Sequence, residues 1–430
     1  MASFYMFLVL IGLLVVRTPV TVSLGIAAIV GLLVSGFPLS VLPRMMIQGV
    51  ESFPLLAVPF FVLAANLMNS GGLTDRIFNI ASALFSPLRG GLAQVNVGGS
   101  VIFAGMSGAA LADLGGLGAV QIKAMRERRY PIRLSAGITL ASCVVGPLIP
   151  PSIVMIIYGM ATDTSVGRMF LAGVLPGLSI ALLLMLHIWL WTTFRRVDWG
   201  QRQPFDGPAL WTALRAGGLA LMMPVVVIGA IILGFSTPTE VGALAAFYAF
   251  AAGLAHRTLT WKGFLTSLSR SVVTTSVIML VIAVSVVMGW VTTMERLPHE
   301  AAAFMIQYVS DPILGLLLIN VLLLVVGMFL ETVPGILILA PILLPYAVEL
   351  GIHPVHFGVI LCFNLVLGII TPPIGVGLFV TAYIARIRPE EVLRGVAPFF
   401  VTLLIGLMLI TFVPALSLWL PDLVFGPSLR

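Results

Sequence analysis

The chain is 430 residues long with a net charge of +6; 60% of its residues are hydrophobic and only 9% are charged. A soluble domain carries about 25% charged residues, so a cytosolic enzyme, a secreted disulfide scaffold and a DNA-binding domain are excluded. What remains is an all-α polytopic membrane protein in contact with the lipid bilayer, in keeping with a mean hydropathy of +1.15.

A helix needs about 20 predominantly apolar residues to cross the hydrocarbon core. In chain order, crossings are predicted at 2–16, 20–36, 52–70, 137–158, 169–192, 217–234, 239–255, 271–291, 357–379 and 397–420. The first has neither a basic leader nor a small-residue cleavage site, and reads as a retained span rather than a signal peptide. Two linking segments, 72–88 and 296–310, are amphipathic. In the first of them Leu73, Ile77, Ile80, Ala81 and Leu84 share one face, which suits an interfacial arm coupled to a static frame.

An apolar stretch follows each arm, at about 90–124 and about 312–347, and each is broken near its middle. Gly105-Met106-Ser107-Gly108 through Asp113 interrupts the first; Glu331-Thr332-Val333-Pro334-Gly335 interrupts the second. The pieces are too short to cross, so both stretches read as re-entrant hairpins. Irregular backbone at that depth is tolerated only inside protein or facing a water-filled cavity. The basic residues sit in loops between spans, where the positive-inside rule accounts for them without nucleic acid. Cys143 and Cys362 fall inside apolar spans and act as small hydrophobes.

Sliding the sequence against itself by 222 residues reveals a duplication. Without a gap, Gly105-Met106 falls on Gly327-Met328, Gly146 on Gly368, and Pro150-Pro151 on Pro372-Pro373. Gly173-Val174 falls on Gly395-Val396 and Pro176 on Pro398. The chain therefore divides into repeats 1–216 and 217–430. Each has about five crossings, one hairpin and one broken helix, at about 137–158 in the first half and about 357–379 in the second.

Five is odd, so the second repeat is expected to be inverted. Charge agrees: Lys123, Arg126, Arg128, Arg129 and Arg133 follow the first hairpin, whereas the equivalent loop 345–357 has no Lys or Arg. The next pair of loops reverses the bias, with Asp163 and Arg168 against Arg386, Arg388 and Arg394. Arg195, Arg196, Arg202, Arg215, Arg257, Lys262 and Arg270 fit the same assignment, and Arg44 is the exception. Both termini then lie outside, and the first hairpin opens to the cytoplasm. Inverted repeats with broken helices are the signature of a secondary transporter.

The interruptions are where chemistry is expected. Proline removes a backbone donor and displaces the carbonyl four residues earlier, and freed carbonyls near the midplane are good ligands for a hard cation. Two pseudo-equivalent cation sites follow: Gly105, Ser107, Gly146 and Ile149 in the first half, and Gly327, Gly368, Thr371 and Ile374 in the second. Substrate would lie between the two tips, where inward-pointing helix N-termini favour an anion. The polar residues beside the breaks are its candidate contacts: Ser107, Asp113, Ser142, Ser152, Glu331, Thr332, Asn364 and Thr371. Asp113 and Glu331 are intramembrane carboxylates, hence functional candidates by default, with helix capping as the alternative.

At these residues the chain resembles a known family. Gly105-Met106-Ser107-Gly108-Ala109-Ala110-Leu111-Ala112-Asp113 is similar to the first hairpin tip of the large permease subunit of TRAP transporters. Gly327-Met328-Phe329-Leu330-Glu331 through Pro341, and Thr371-Pro372-Pro373-Ile374-Gly375, resemble that family's second hairpin and second helix break. The likeness covers nearly the whole chain, Thr237-Pro238-Thr239-Glu240 included. It implies an elevator-type, sodium-driven importer of an organic anion such as a C4-dicarboxylate or sialic acid, in the bacterial inner membrane. It further implies a separate small four-helix membrane subunit and a soluble periplasmic substrate-binding protein as partners, and no ATP hydrolysis. Two positions depart from the pattern: Ala109-Ala110 replace common hydroxyl residues, and Glu331 stands in place of Asp. Backbone coordination survives both changes.

A standalone sodium-coupled carboxylate transporter, needing no binding protein, is the main rival reading. An intramembrane serine protease is a remote one, since Gly105-Met106-Ser107-Gly108 fits Gly-x-Ser-Gly. Such an enzyme needs a histidine base, and only His187 lies within a predicted span. His353 and His356 are a weak metal-pair signal without acidic or Cys partners.

Overall fold

The computed structural model describes residues 2–16, 18–194, 204–372 and 375–427, which are helical with no strand among them. Helices α1 (Ala2–Val15), α2 (Val20–Val34) and α3 (Val41–Val50) open the chain. A 3₁₀ turn at Phe53–Leu56 leads into α4 (Ala57–Ser70), and α5 (Leu73–Phe85) follows. The first interrupted stretch folds as α6 (Leu92–Ser107), the short α7 (Ala110–Asp113), a π-helical turn at Leu114–Gly118 and α8 (Ala119–Glu127). Next, α9 (Ile132–Cys143) breaks at the 3₁₀ turn Gly146–Leu148 and resumes as α10 (Ile153–Ala161), before the long α11 (Val166–Phe194).

The remaining helices begin with α12 (Gly207–Ile232) and α13 (Pro238–Ala255), then α14 (Trp261–Met294) and α15 (Leu297–Tyr308). The second interrupted stretch is α16 (Pro312–Gly327) and α17 (Thr332–Glu349). Then α18 (Pro354–Leu367) breaks at Gly368–Ile370 and resumes as α19 (Val376–Ala385), followed by α20 (Pro389–Phe412) and α21 (Ala415–Phe425). The order of arm, interrupted pair, broken helix and long helix recurs, and the two 3₁₀ breaks stand 222 residues apart.

Local sequence sets the helix starts. Asp206, Thr260 and Asp311 cap α12, α14 and α16 through their side-chain oxygens. Thr237 and Glu240 form a reciprocal capping box at the head of α13, satisfying donors that the first turn leaves open.

Among the described residues, seven helices are long and apolar enough to cross a membrane, or eight if the pair 132–161, bent by 44°, is one span. Ten crossings were expected. The difference lies in pieces that stop short: α1 and α2 have 14 and 15 residues, only about 21–23 Å at 1.5 Å per residue. The predicted crossing 357–379 is likewise divided between α18 and α19. Conversely α17, expected as half a hairpin, is by itself 18 residues long. Arg195, Arg196 and Arg202, used to assign sidedness, lie outside the described residues.

Two sets of helix contacts stand out, and α4 joins them, its Phe61 lying edge-on to Phe170 of α11. In the first, α4 is bound to α14 by Asn66 donating to Ser271 at 2.9 Å and by a 2.7 Å bond between Ser267 and Ser70. Met6, Leu10, Leu24 and Leu32 of α1 and α2 pack with Val284 and Met288 of α14 in one apolar cluster. In the second group the two halves interlock. A Cβ on Gly137 of α9 would overlap the Gly395 carbonyl of α20; glycine permits this close crossing. The Arg133 guanidinium donates to Glu391 across the same helix pair at 2.9 Å, and Tyr158 of α10 donates to the Pro354 carbonyl at 2.8 Å. Between the groups lies α5, which buries Leu73, Ile77, Ile80 and Ala81 as its amphipathic pattern requires and packs on both α6 and α12.

Candidate functional site

The first hairpin tip turns where Gly108 adopts φ +61° and ends α6, a left-handed conformation that glycine takes without strain. Its missing side chain also lets the tip lie on the Pro151 backbone, because a Cβ there would overlap the Pro151 carbonyl. The Ile153 amide then donates to the Gly108 carbonyl at 3.3 Å, so the tip is docked on the helix break.

Asp113, at the end of α7, is only 2% exposed. Its Oδ1 accepts from the Ser107 hydroxyl, while Oδ2 has no hydrogen-bond partner among the described residues. That second oxygen lies against the break itself: a Cβ on Gly146 would overlap it. A buried carboxylate oxygen with nothing to accept from is costly unless a proton or cation meets it. Capping explains neither carboxylate, since neither Asp113, ahead of the π-helical turn, nor Glu331, ahead of α17, makes a side-chain cap bond.

The second half is built differently. Gly327 and Gly368 meet backbone to backbone, and a Cβ on Gly368 would overlap the Gly327 carbonyl. The Thr371 hydroxyl donates to the Leu367 carbonyl at 2.6 Å, which leaves its oxygen free to accept or coordinate. Ile374 lies outside the described residues. The carbonyls expected to be freed by proline are not idle. That of Gly146 accepts from the Ile149 amide at 3.2 Å and that of Gly368 from the Thr371 amide at 3.1 Å. Both breaks tighten into 3₁₀ turns, which recover the lost bonds and leave one lone pair on each oxygen.

Between the tips lies a cavity of about 620 Å³. Of the predicted contacts, Ser107, Glu331 and Thr332 line it, together with apolar Phe103, Val154 and Ile369. Further polar lining comes from Asn66 and Asn69 of α4 and Arg270 and Thr274 of α14. Sequence reasoning missed these four. Asn66 and Asn69 carried a signal, as polar groups inside an apolar span; Arg270 was read only as a loop charge.

Asp113, Ser142, Ser152, Asn364 and Thr371 do not line the cavity. Ser152 caps α10, accepting from the Met155 amide at 3.3 Å while donating to the Pro147 carbonyl. Ser142 donates to Asn96 Oδ1 at 2.9 Å and accepts from Ser100 at 2.9 Å, joining α9 to α6. Its repeat-mate Asn364 donates to Asn320 Oδ1 at 2.8 Å, joining α18 to α16. Both are fully buried and position the broken helices rather than face a substrate. Asn364→Ala would strand the Asn320 oxygens; it is expected to cost about 1–3 kcal/mol of stability yet leave the substrate KM within about two-fold, read by thermal unfolding and uptake.

No histidine reaches Ser107. His187 pairs through Nδ1 with Thr402 at 2.6 Å, and Ser107 donates to Asp113, so the serine lacks the histidine base that the protease reading requires. His356 contacts the Thr411 carbonyl at 3.2 Å, and the described residues hold no group of three or more His, Cys, Asp or Glu able to bind a metal.

Two solved transporters share the fold. Alcanivorax borkumensis YdaH superposes with a TM-score of 0.60 over 87% of this chain and 88% of its own, at 16% identity. Neisseria gonorrhoeae MtrF gives 0.57 over 90% and 85%, at 12% identity. Sequence relatives are nearer. The chain is 41% identical to the sialic acid TRAP transporter large permease protein SiaM of Vibrio cholerae, over 97% of both chains. It is 37% identical to the 2,3-diketo-L-gulonate TRAP transporter large permease protein YiaN of Escherichia coli, over 88% and 89%. It is 34% identical to the C4-dicarboxylate TRAP transporter large permease protein DctM of Vibrio cholerae, over 100% and 99%. Residues 7–416 match the family model of the tripartite ATP-independent periplasmic transporter, DctM component. The chain belongs to that family: it is a multi-pass membrane permease of the TRAP type, a transporter and not an enzyme.

Proposed function

We propose that this permease imports an organic anion, a C4-dicarboxylate, sialic acid or a similar carboxylate, driven by sodium and supplied by a periplasmic binding protein. The observation that carries the sodium reading is Asp113 Oδ2, buried and unpartnered against the Gly146 break. Sodium is a hard cation suited to oxygen donors. In the first half Asp113, Ser107 and the second lone pair of the Gly146 carbonyl would hold it. In the second, the Gly327 and Gly368 carbonyls and the Thr371 hydroxyl would do so without a carboxylate.

The cavity between the tips suits a small organic acid in size, and the relatives are named as transporters of acids. The interlocking of α9 with α20 and of α10 with α18 across the two halves is in keeping with one body that moves as a unit, an elevator built on two inverted repeats. The same reading places both termini in the periplasm and the chain in the bacterial inner membrane, beside a small four-helix subunit.

Uptake into proteoliposomes holding this chain and its small subunit tests the proposal. Radiolabelled malate or N-acetylneuraminate is expected to enter only with both an inward sodium gradient and the binding protein. Entry with sodium alone would favour a standalone carrier; entry without a sodium gradient would remove sodium coupling.

A further inference from the structure

We propose that Arg270 is the frame's anion anchor, meeting the substrate carboxylate from the α14 wall of the cavity. The inference rests on the organic-anion reading above and adds the group that recognises the charge. Arg270 is the one cationic side chain lining the cavity, and it makes no ion pair or hydrogen bond among the described residues. Glu331, an acid lining the same cavity, does not pair with it. An unpaired guanidinium presents a planar fork that matches a carboxylate through two parallel N–H···O bonds.

Its backbone is fixed. Ser271, the next residue, accepts from Asn66, and Ser267 one turn earlier bonds Ser70. Arg270 therefore stays with α4 and α14, whereas Ser107 and Thr332 belong to the tips. An anion between them is held from both sides only while the tips stand level with Arg270. Arg270 thus acts on substrate in one conformation, as a capture or release station rather than as a travelling ligand.

Thr274 lies one turn further along α14 and faces the same cavity, as i and i+4 residues do. It supplies a reporter position that needs no knowledge of the substrate. In the Thr274→Cys protein, reconstituted with the small subunit, an anionic methanethiosulfonate is expected to react at least about ten-fold faster, relative to its cationic analogue, than when Arg270→Gln is also present. Malate or N-acetylneuraminate should slow the anionic reagent only when Arg270 is intact. In uptake, Arg270→Gln should raise KM for the transported acid at least about ten-fold, with Arg270→Lys intermediate because it keeps charge but loses the fork.

An unchanged reagent ratio in Arg270→Gln would overturn the anchor while leaving the transport reading intact. Protection by phosphatidylglycerol vesicles but by neither acid would reassign Arg270 to a lipid phosphate and also overturn it. Transport of neutral solutes but of no acid by the unmodified protein would instead remove the organic-anion reading, and the anchor with it.

Discussion

Asp113→Asn is expected to lower sodium-driven uptake by at least about 100-fold while the protein still inserts and folds. Asparagine has the same shape, and its Oδ1 can accept the Ser107 hydroxyl as the carboxylate does. What changes is the other branch. Oδ2, unpartnered against Gly146, becomes an amide nitrogen that carries no charge and directs protons at the place where a cation would sit. Even outer-shell changes around a bound metal commonly cost about 10–100-fold in affinity, and this one would remove an oxygen of the proposed site. If Asp113 were simply a protonated partner for Ser107, the amide would do the same work and uptake would stay within a few-fold. Initial uptake rates against sodium concentration, normalised to protein in the membrane, separate the two.

A comparable loss is expected from Gly368→Ala, for a steric reason. The added methyl would overlap the Gly327 carbonyl, and both sides of that contact are backbone, so no rotamer change can relieve it. Overpacking of this kind costs about 1–3 kcal/mol, and the relief is movement of the second tip away from its break. Uptake should fall at least about 100-fold, with the sodium response lost at the second site. Gly289→Ala serves as the control. Its nearest neighbour would be the Leu337 carbonyl at 3.9 Å, and alanine inside a helix is favourable, so uptake should be near that of the unmodified chain. Equal losses in both variants would mean that glycine substitution in general, and not the tip contact, disables transport.

The parts legible in the sequence were those marked by broken rules. Gly105 to Asp113 and Glu331 to Gly335 interrupt apolar runs; the first does hold the end of α6 at a docked tip, while the second opens α17 just after α16 ends at Gly327. Pro150-Pro151 and Pro372 announced the helix breaks through their missing donors. The amphipathic face of α5 was readable because five apolar side chains at helical spacing leave one solution, although Leu84 proved exposed. Other features had no such mark. A proline predicts a displaced carbonyl but not the 3₁₀ turn that reclaims it, as at Gly146 and Gly368. Ser142 and Asn364 looked like contacts because they are polar and close to the breaks. Their partners, Asn96 and Asn320, lie more than 40 residues away, and pairing over that distance is a property of the packed helices. Arg270 illustrates the same limit. Charge counting read it as a loop residue, whereas it lies inside α14, and only the crossing of α14 past the hairpin tips turns it into the wall of a cavity.

The central claim is that a sodium ion is held at the first hairpin tip by Asp113, and ion-dependent unfolding tests it most directly. The purified chain with its small subunit would be heated at increasing sodium concentration, with potassium keeping ionic strength constant. Binding to the native state adds stability as RT ln(1 + [L]/Kd), about 2.7 kcal/mol at 100 times Kd. The unmodified protein should therefore gain Tm steadily with sodium and not with potassium. Asp113→Asn should lose a large part of that gain and keep only the share of the second site. An identical sodium response in the two proteins, or an equal response to potassium, would contradict the account.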